Sequence, residues 1–187
     1  MLKNLYPIKI IEKKTVFEGR FIKFVLTRFI DSSGIMREWE SIERVNCRGI
    51  VAIVPVTSAG EFLLIRQFRP PVNCFVVEFP AGLNDRGDTL EGAARRELIE
   101  ETGYSAEEMI FLAEGPLSSG ASGEILTVFL AKGIEFTGIG RRDETEDIEV
   151  LKIPSGNIES ALSDLQSEGN YIDLKVYGLI ELAKKHH

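Results

Sequence analysis

The segment Arg95-Arg96-Glu97-Leu98-Ile99-Glu100-Glu101-Thr102-Gly103 constrains this chain more than any other. In a helix, residues four apart share a face, so Glu97 and Glu101 point the same way and Glu100 lies beside them. Three carboxylates on one face repel unless something neutralises them. A hard divalent cation such as Mg²⁺ does so through oxygen ligands, and so brings phosphate oxygens within reach of the same charge. For this segment alone the alternative is a solvated acidic stripe paired with Arg95 and Arg96. What precedes it favours a site: Glu78-Phe79-Pro80-Ala81-Gly82-Leu83, then Gly87-Asp88, leads directly into the helix. A glycine loop lets backbone approach a ligand, and the helix supplies carboxylates.

The rest of the pattern is that of a mixed α+β chain. Lys9 to Lys14, Val16 to Thr27 and Met36 to Arg44 are rich in β-branched and aromatic residues and read as strands, with Asp31-Ser32-Ser33-Gly34 as a turn. This N-terminal segment is too small to bury a core alone. Ile50 to Val56 is a continuous apolar run, as a buried strand requires. Further strands are expected at Glu61 to Phe68, Phe75 to Phe79, Ile110 to Glu114, Ile125 to Leu130 and Glu149 to Ile153. Pro80 to Asp88 reads as a loop and Thr89 to Thr102 as a helix. Asp88 and Glu91 form its expected capping box, and Gly103 its stop. Helices over Asn157 to Gln166 and Tyr171 to Lys185 close the chain. Strands on both sides of one central helix predict a mixed sheet between helices, divided as 1–46 and 47–187.

The carboxylate helix and its loop resemble the Nudix hydrolase signature, G-x5-E-x7-R-E-U-x-E-E-x-G-U, where U is bulky and apolar. Here Gly82, five residues, Asp88 and seven residues lead to Arg96-Glu97-Leu98-Ile99-Glu100-Glu101-Thr102-Gly103-Tyr104. One fixed position departs: Asp88 stands where the family has Glu, at a position that supports the site. Arg66-Gln67-Phe68-Arg69 and Glu78-Phe79-Pro80-Ala81-Gly82-Leu83 resemble the branch that hydrolyses ADP-ribose and other nucleoside diphosphate sugars. Ser118-Ser119-Gly120-Ala121-Ser122-Gly123-Glu124 is similar to its S-P-G-x-S-D-E loop, with Ser119 for Pro and Gly123 for Asp.

The resemblance implies a Nudix fold (a mixed β-sheet sandwiched between helices) with a small antiparallel N-terminal β-domain. It implies hydrolysis of a pyrophosphate bond, assisted by Mg²⁺ or Mn²⁺, giving a nucleoside monophosphate and a sugar phosphate. Glu97, Glu100, Glu101 and the Ala81 carbonyl are the implied metal ligands, and Arg96 orients the carboxylates. The general base stays open between Glu124, Glu146 and Glu100. Arg69 is the implied diphosphate ligand, and Gly82 lets the loop backbone approach the substrate. The N-terminal strands are similar to those that the family exchanges between two subunits. By that similarity a domain-swapped homodimer is implied, with Phe21 and Trp39 stacking on the base and Glu40 and Arg44 binding the nucleotide.

Composition narrows the alternatives. With 22 basic and 29 acidic residues the net charge is -7, a poor electrostatic footprint for nucleic acid. No apolar run approaches the ~20 residues of a membrane helix. The opening MLKNLYPIKIIEKK lacks a secretory signal pattern, and two cysteines cannot build a disulfide framework; a cytoplasmic protein is expected. Within the same family, dinucleoside polyphosphates, NADH and capped RNA are other possible substrates. A non-catalytic module binding an ADP-ribose-like ligand is the alternative from another class; such modules usually have degraded signatures, whereas Glu97, Glu100 and Glu101 are intact here.

Overall fold

The computed structural model describes residues 7–138 and 147–186. In chain order it has β1 (Lys9–Glu18), β2 (Ile22–Ile30), β3 (Met36–Arg44), β4 (Ile50–Pro55), β5 (Glu61–Arg69), β6 (Cys74–Glu78), β7 (Ala81–Leu83) and α1 (Leu90–Thr102). These are followed by β8 (Tyr104–Pro116), β9 (Ile125–Phe136), β10 (Ile148–Pro154), α2 (Ile158–Ser167), β11 (Tyr171–Ile172) and α3 (Lys175–Lys184). Contacts divide the chain into two units. One holds the N-terminal strands through Cys47 together with Gly115–Ile125; the other is the remainder from Arg48 onward.

The first unit is built on an antiparallel sheet, β1–β2–β3. The single strand expected over Val16 to Thr27 is broken. The chain turns at Gly19, whose N–H donates to the Ile22 carbonyl at 2.8 Å, and β1 continues to Glu18 before the turn. The turn expected after Asp31 is present. Asp31 Oδ1 accepts from the amides of Ser33 and Ile35, and Gly34 takes the positive φ of 79° that the reversal requires. Residues Gly115–Ile125 join this sheet through Ile42, whose N–H donates to the Ala121 carbonyl at 2.8 Å. Val25 is the one buried hydrophobic residue of these three strands.

The second unit holds two four-stranded mixed sheets where the sequence predicts one. Their orders are β7–β4–β9–β8 and β10–β5–β6–β11. In the first, β4 pairs antiparallel with β7 and parallel with β9; in the second, β5 is antiparallel to both neighbours and β6 parallel to β11. Every residue of β4 is buried, because α1 and α3 both pack on it. The core beneath α1 consists of Ala93, Ala94 and Leu98 against Val51, Ile53, Phe129 and Ala131. The helix expected over Tyr171 to Lys185 is split: Tyr171 and Ile172 pair with Val76 and Val77, and α3 starts only at Lys175. A two-residue strand has no periodicity of its own, so only its tertiary partner defines it.

Candidate active site

Local chemistry explains how the loop delivers the backbone to the carboxylates. β7 extends the sheet beside β4, with Ala81 opposite Ala52 and Gly82 opposite Val51. The sequence leaves Ala81–Leu83 as loop because three residues around a glycine carry no strand pattern. Asn84 then fastens the chain in both directions. Its N–H donates to the Gly49 carbonyl at 2.9 Å, its carbonyl accepts from Arg48 N–H at 2.9 Å, and its Nδ2 donates to the Asp88 carbonyl at 2.8 Å. Thr89, not Asp88, caps α1: its Oγ1 accepts from Gly92 N–H at 3.0 Å. The helix ends as expected at Gly103, with φ 78° and its N–H on the Ile99 carbonyl.

With Ala94 and Leu98 in the core, the next face of α1 meets β7. Glu101 is only 4% exposed, and its Oε2 accepts from Ala81 N–H at 2.9 Å. Glu97 lies directly against Gly82: a Cβ there would stand 2.0 Å from the Glu97 carboxyl carbon, so any other residue would displace that carboxylate. Arg96 gathers the remaining charge. Its Nη1 donates to Glu97 Oε1 at 2.7 Å and to Glu100 Oε2 at 2.9 Å, while its Nη2 donates to the Leu83 carbonyl at 3.0 Å. Asp88 Oδ2 lies 3.6 Å from Arg96 Nε, which is buried and has no hydrogen-bond partner. Burial works to lower the Arg96 pKa, but the Glu97 and Glu100 carboxylates outweigh it and hold it above its ordinary value. Arg86, which the sequence reading passed over, donates from Nη1 to Glu100 Oε1 at 3.1 Å. A cation between Gly82 and Asp88, beside so many acids, was the signal for it.

Arg69 belongs to the same unit. Its Nε donates to Glu78 Oε1 at 2.7 Å. Burial opposes its charge, but Glu78, with smaller contributions from Glu101 and Asp173, raises its pKa above the ordinary arginine value. Arg69 therefore sits in the field of the buried Glu101, with its remaining guanidinium donors available for further acceptors.

The donor set, three carboxylates and backbone carbonyls, suits a hard divalent cation. Among the described residues no three acidic, His or Cys side chains converge on one point as they stand. Guanidinium groups hold Glu97 and Glu100 instead, which marks the place where these acids require positive charge. At Gly82 the absence of a Cβ leaves room for the Glu97 carboxylate. The residues fit a divalent ion in chemistry.

The other candidates lie in the first unit. Trp39, 52% exposed, donates from Nε1 to the Gly120 carbonyl at 3.1 Å. Phe21 is 65% exposed, with the Arg20 guanidinium 4.9 Å from its ring centre. Glu40 is exposed and lies opposite Leu26. Arg44 Nε donates to Glu124 Oε1 at 2.8 Å, and Ser122 Oγ to Glu124 Oε2 at 3.2 Å. The structure thus joins Arg44 to Glu124, residues the sequence reading kept apart as nucleotide ligand and general base. Glu146 lies outside the described residues.

A strand, a glycine loop and a carboxylate helix in this arrangement define a class of hydrolase, and the comparisons give its name. Residues 47–163 match the NUDIX domain, and the chain belongs to the Nudix hydrolase family. Hydrolases of this family generally use divalent metal ions. The chain is 31% identical to mouse ADP-sugar pyrophosphatase, over 93% of its own length and 86% of the relative's. It is 32% identical to the ADP-ribose pyrophosphatase of Bacillus subtilis strain 168, over 95% and 93%. Its fold matches the crystal structure of an ADP compounds hydrolase with a TM-score of 0.79, at 23% identity, covering 98% of this chain and 95% of that one. No helix among the described residues is long and apolar enough to cross a membrane.

Proposed function

We propose that this protein hydrolyses the pyrophosphate bond of ADP-ribose or a related nucleoside diphosphate sugar, with Mg²⁺ or Mn²⁺ as its ion. Water adds to one phosphorus and the bridging oxygen leaves with the other, so ADP-ribose yields AMP and ribose 5-phosphate. The observation that carries this reading is the placing of Glu101 on Ala81 and of Glu97 on Gly82, with Glu100 joined to Glu97 through Arg96, on a chain whose relatives are named ADP-ribose and ADP-sugar pyrophosphatases.

Glu97, Glu100, Glu101 and the Ala81 carbonyl would hold the ion. Such an ion neutralises the diphosphate and lowers the pKa of a water. Arg96, tied to Leu83, keeps Glu97 and Glu100 oriented on one guanidinium. Gly82 gives the diphosphate access to the backbone. Arg69 presents a guanidinium fork, one nitrogen on Glu78 and the others toward phosphate oxygens. Glu124, which accepts from Arg44 Nε at 2.8 Å, is one candidate for the general base that takes a proton from water. Glu146 and Glu100 remain the alternatives for that step.

The first unit supplies base binding and dimerisation in this reading. Trp39 and Phe21 offer flat, exposed rings for stacking, and Glu40 and Arg44 offer polar contacts to the nucleotide. Ile10, Val16, Phe17, Ile22 and Met36 are all more than two-fifths exposed on its sheet, an apolar surface that a second copy would cover by exchanging these strands. The two-cysteine composition and net charge of -7 suit a cytoplasmic enzyme acting on a free nucleotide rather than on RNA.

The test is a panel of ADP-ribose, ADP-glucose, GDP-mannose, NADH, a dinucleoside polyphosphate and a capped RNA, each with Mg²⁺, resolved by chromatography. Preferred cleavage of ADP-ribose or ADP-glucose supports the proposal, and comparable cleavage of GDP-mannose widens it to nucleotide sugars at large. Preference for NADH, the dinucleotide or capped RNA overturns the substrate assignment. Tight binding of ADP-ribose without turnover would make the protein a binding module.

A further inference from the structure

Both carboxylate oxygens of Glu100 are held by guanidinium groups, and the two holders differ in kind. Arg96 is anchored: its side chain is mostly buried, and it also bonds Glu97 and the Leu83 carbonyl. Arg86 is not. Its side chain is 58% exposed, and its contact with Glu100 Oε1 at 3.1 Å reaches in from solvent. It occupies one of the five positions between Gly82 and Asp88 that the family signature leaves open, so the signature does not require a cation there.

We propose that Arg86 is a competitor for the metal: a built-in cation that neutralises Glu100 and opposes a divalent ion at the same carboxylate. This rests on the assignment of Glu100 to the metal site made above. Physically, Arg86 neutralises Glu100 and lowers the repulsion among Glu97, Glu100 and Glu101 while no ion is bound. With a divalent ion on Glu100, the same guanidinium would share its acceptor and stand beside a like charge. Arg86 therefore raises the metal concentration needed for loading. It is a positioning residue, acting on the metal through Glu100.

The experiment reads metal binding without turnover: Mn²⁺ titrated into the full-length protein, with free Mn²⁺ followed by electron paramagnetic resonance and no substrate present. Replacing one partly exposed unit charge beside a dication should make Arg86→Ala bind Mn²⁺ about threefold to tenfold more tightly than wild type. Arg86→Glu should bind more tightly still, and Arg86→Lys should stay close to wild type. The differences should shrink as salt is raised, since the competing charge is exposed. A purely structural role for Arg86 would not follow charge across this series. Equal or weaker binding by Arg86→Ala overturns the proposal, as does an effect confined to substrate KM. Glu97→Gln separates the two levels of the account. If it binds Mn²⁺ as wild type does, or if wild type binds none, the metal site itself is misassigned and the competitor role falls with it. If wild type binds, Glu97→Gln does not, and Arg86→Ala matches wild type, only the competitor role fails.

Discussion

The layer beneath α1 and the N-terminal sheet spend their apolar residues in opposite ways. Ala93, Ala94, Leu98, Val51 and Ile53 are completely buried, whereas on the N-terminal strands Phe17 is 66% exposed and Val25 alone is buried. The first region is complete within one chain, and there the carboxylates are fixed to within hydrogen-bonding distance by a packed helix and a paired strand. The second has the ladder hydrogen bonds of a sheet but not the burial of one. Its aromatic and aliphatic side chains gain little until something covers them. In the proposed function, chemistry that needs tight geometry is assigned to the self-sufficient region, and recognition through broad stacking to the one that a second copy would finish.

That contrast can be broken by experiment. The largest effect is expected at the carboxylates: Glu97→Gln should cut kcat by about 10²- to 10³-fold, since metal charge stabilisation is worth several kcal/mol. Its circular dichroism and cooperative unfolding should stay intact. Wild-type turnover in this variant would take the chemistry away from α1. Next, Leu98→Ala should cost about 2–5 kcal/mol of unfolding free energy at any protein concentration. Phe17→Ser should change the stability of the monomer by no more than about 0.5 kcal/mol, yet weaken self-association measured by analytical ultracentrifugation. If the two substitutions act alike, the regions do not differ as described. Trp39→Ala should weaken binding by about 1–3 kcal/mol, the value of one base–aromatic stack. This should appear in KM, with kcat nearly kept; an unchanged KM removes Trp39 from the base site. The smallest effect is a gain. Arg96 Nε is buried without a hydrogen-bond partner, 3.6 Å from Asp88 Oδ2. The longer side chain of Asp88→Glu should close that gap and add about 1 kcal/mol of stability, read as a higher Tm.

How much of this was legible beforehand follows from which forces are local. β3 runs from Met36 to Arg44 and α1 stops at Gly103 as the sequence predicts, because turn residues and helix periodicity act over a few neighbours. The face shared by Glu97 and Glu101 follows from helical geometry alone. The break at Gly19 was hidden because β-branched and aromatic residues continue on both sides of it. The cap fell to Thr89 rather than Asp88 because either side chain can cap, and only the backbone entering α1 decides between them. Contacts distant in sequence were out of reach. Arg86 meets Glu100 across 14 residues and Arg44 meets Glu124 across 80, and neither pair leaves a periodic trace. The carboxylates of the candidate site and the Arg96 that pairs with them could thus be named from the sequence, while the pairings of Arg86 with Glu100 and of Arg44 with Glu124 could not.

The central claim is that the carboxylate helix makes this chain a metal-dependent nucleoside diphosphate sugar hydrolase. The most direct test is to incubate wild-type protein with ADP-ribose after exhaustive treatment with EDTA, and again after Mg²⁺ is restored, and to measure AMP and ribose 5-phosphate. The account predicts no products without the ion and equal amounts of both products once it returns. Equal turnover in EDTA, or no turnover with either Mg²⁺ or Mn²⁺, would contradict it.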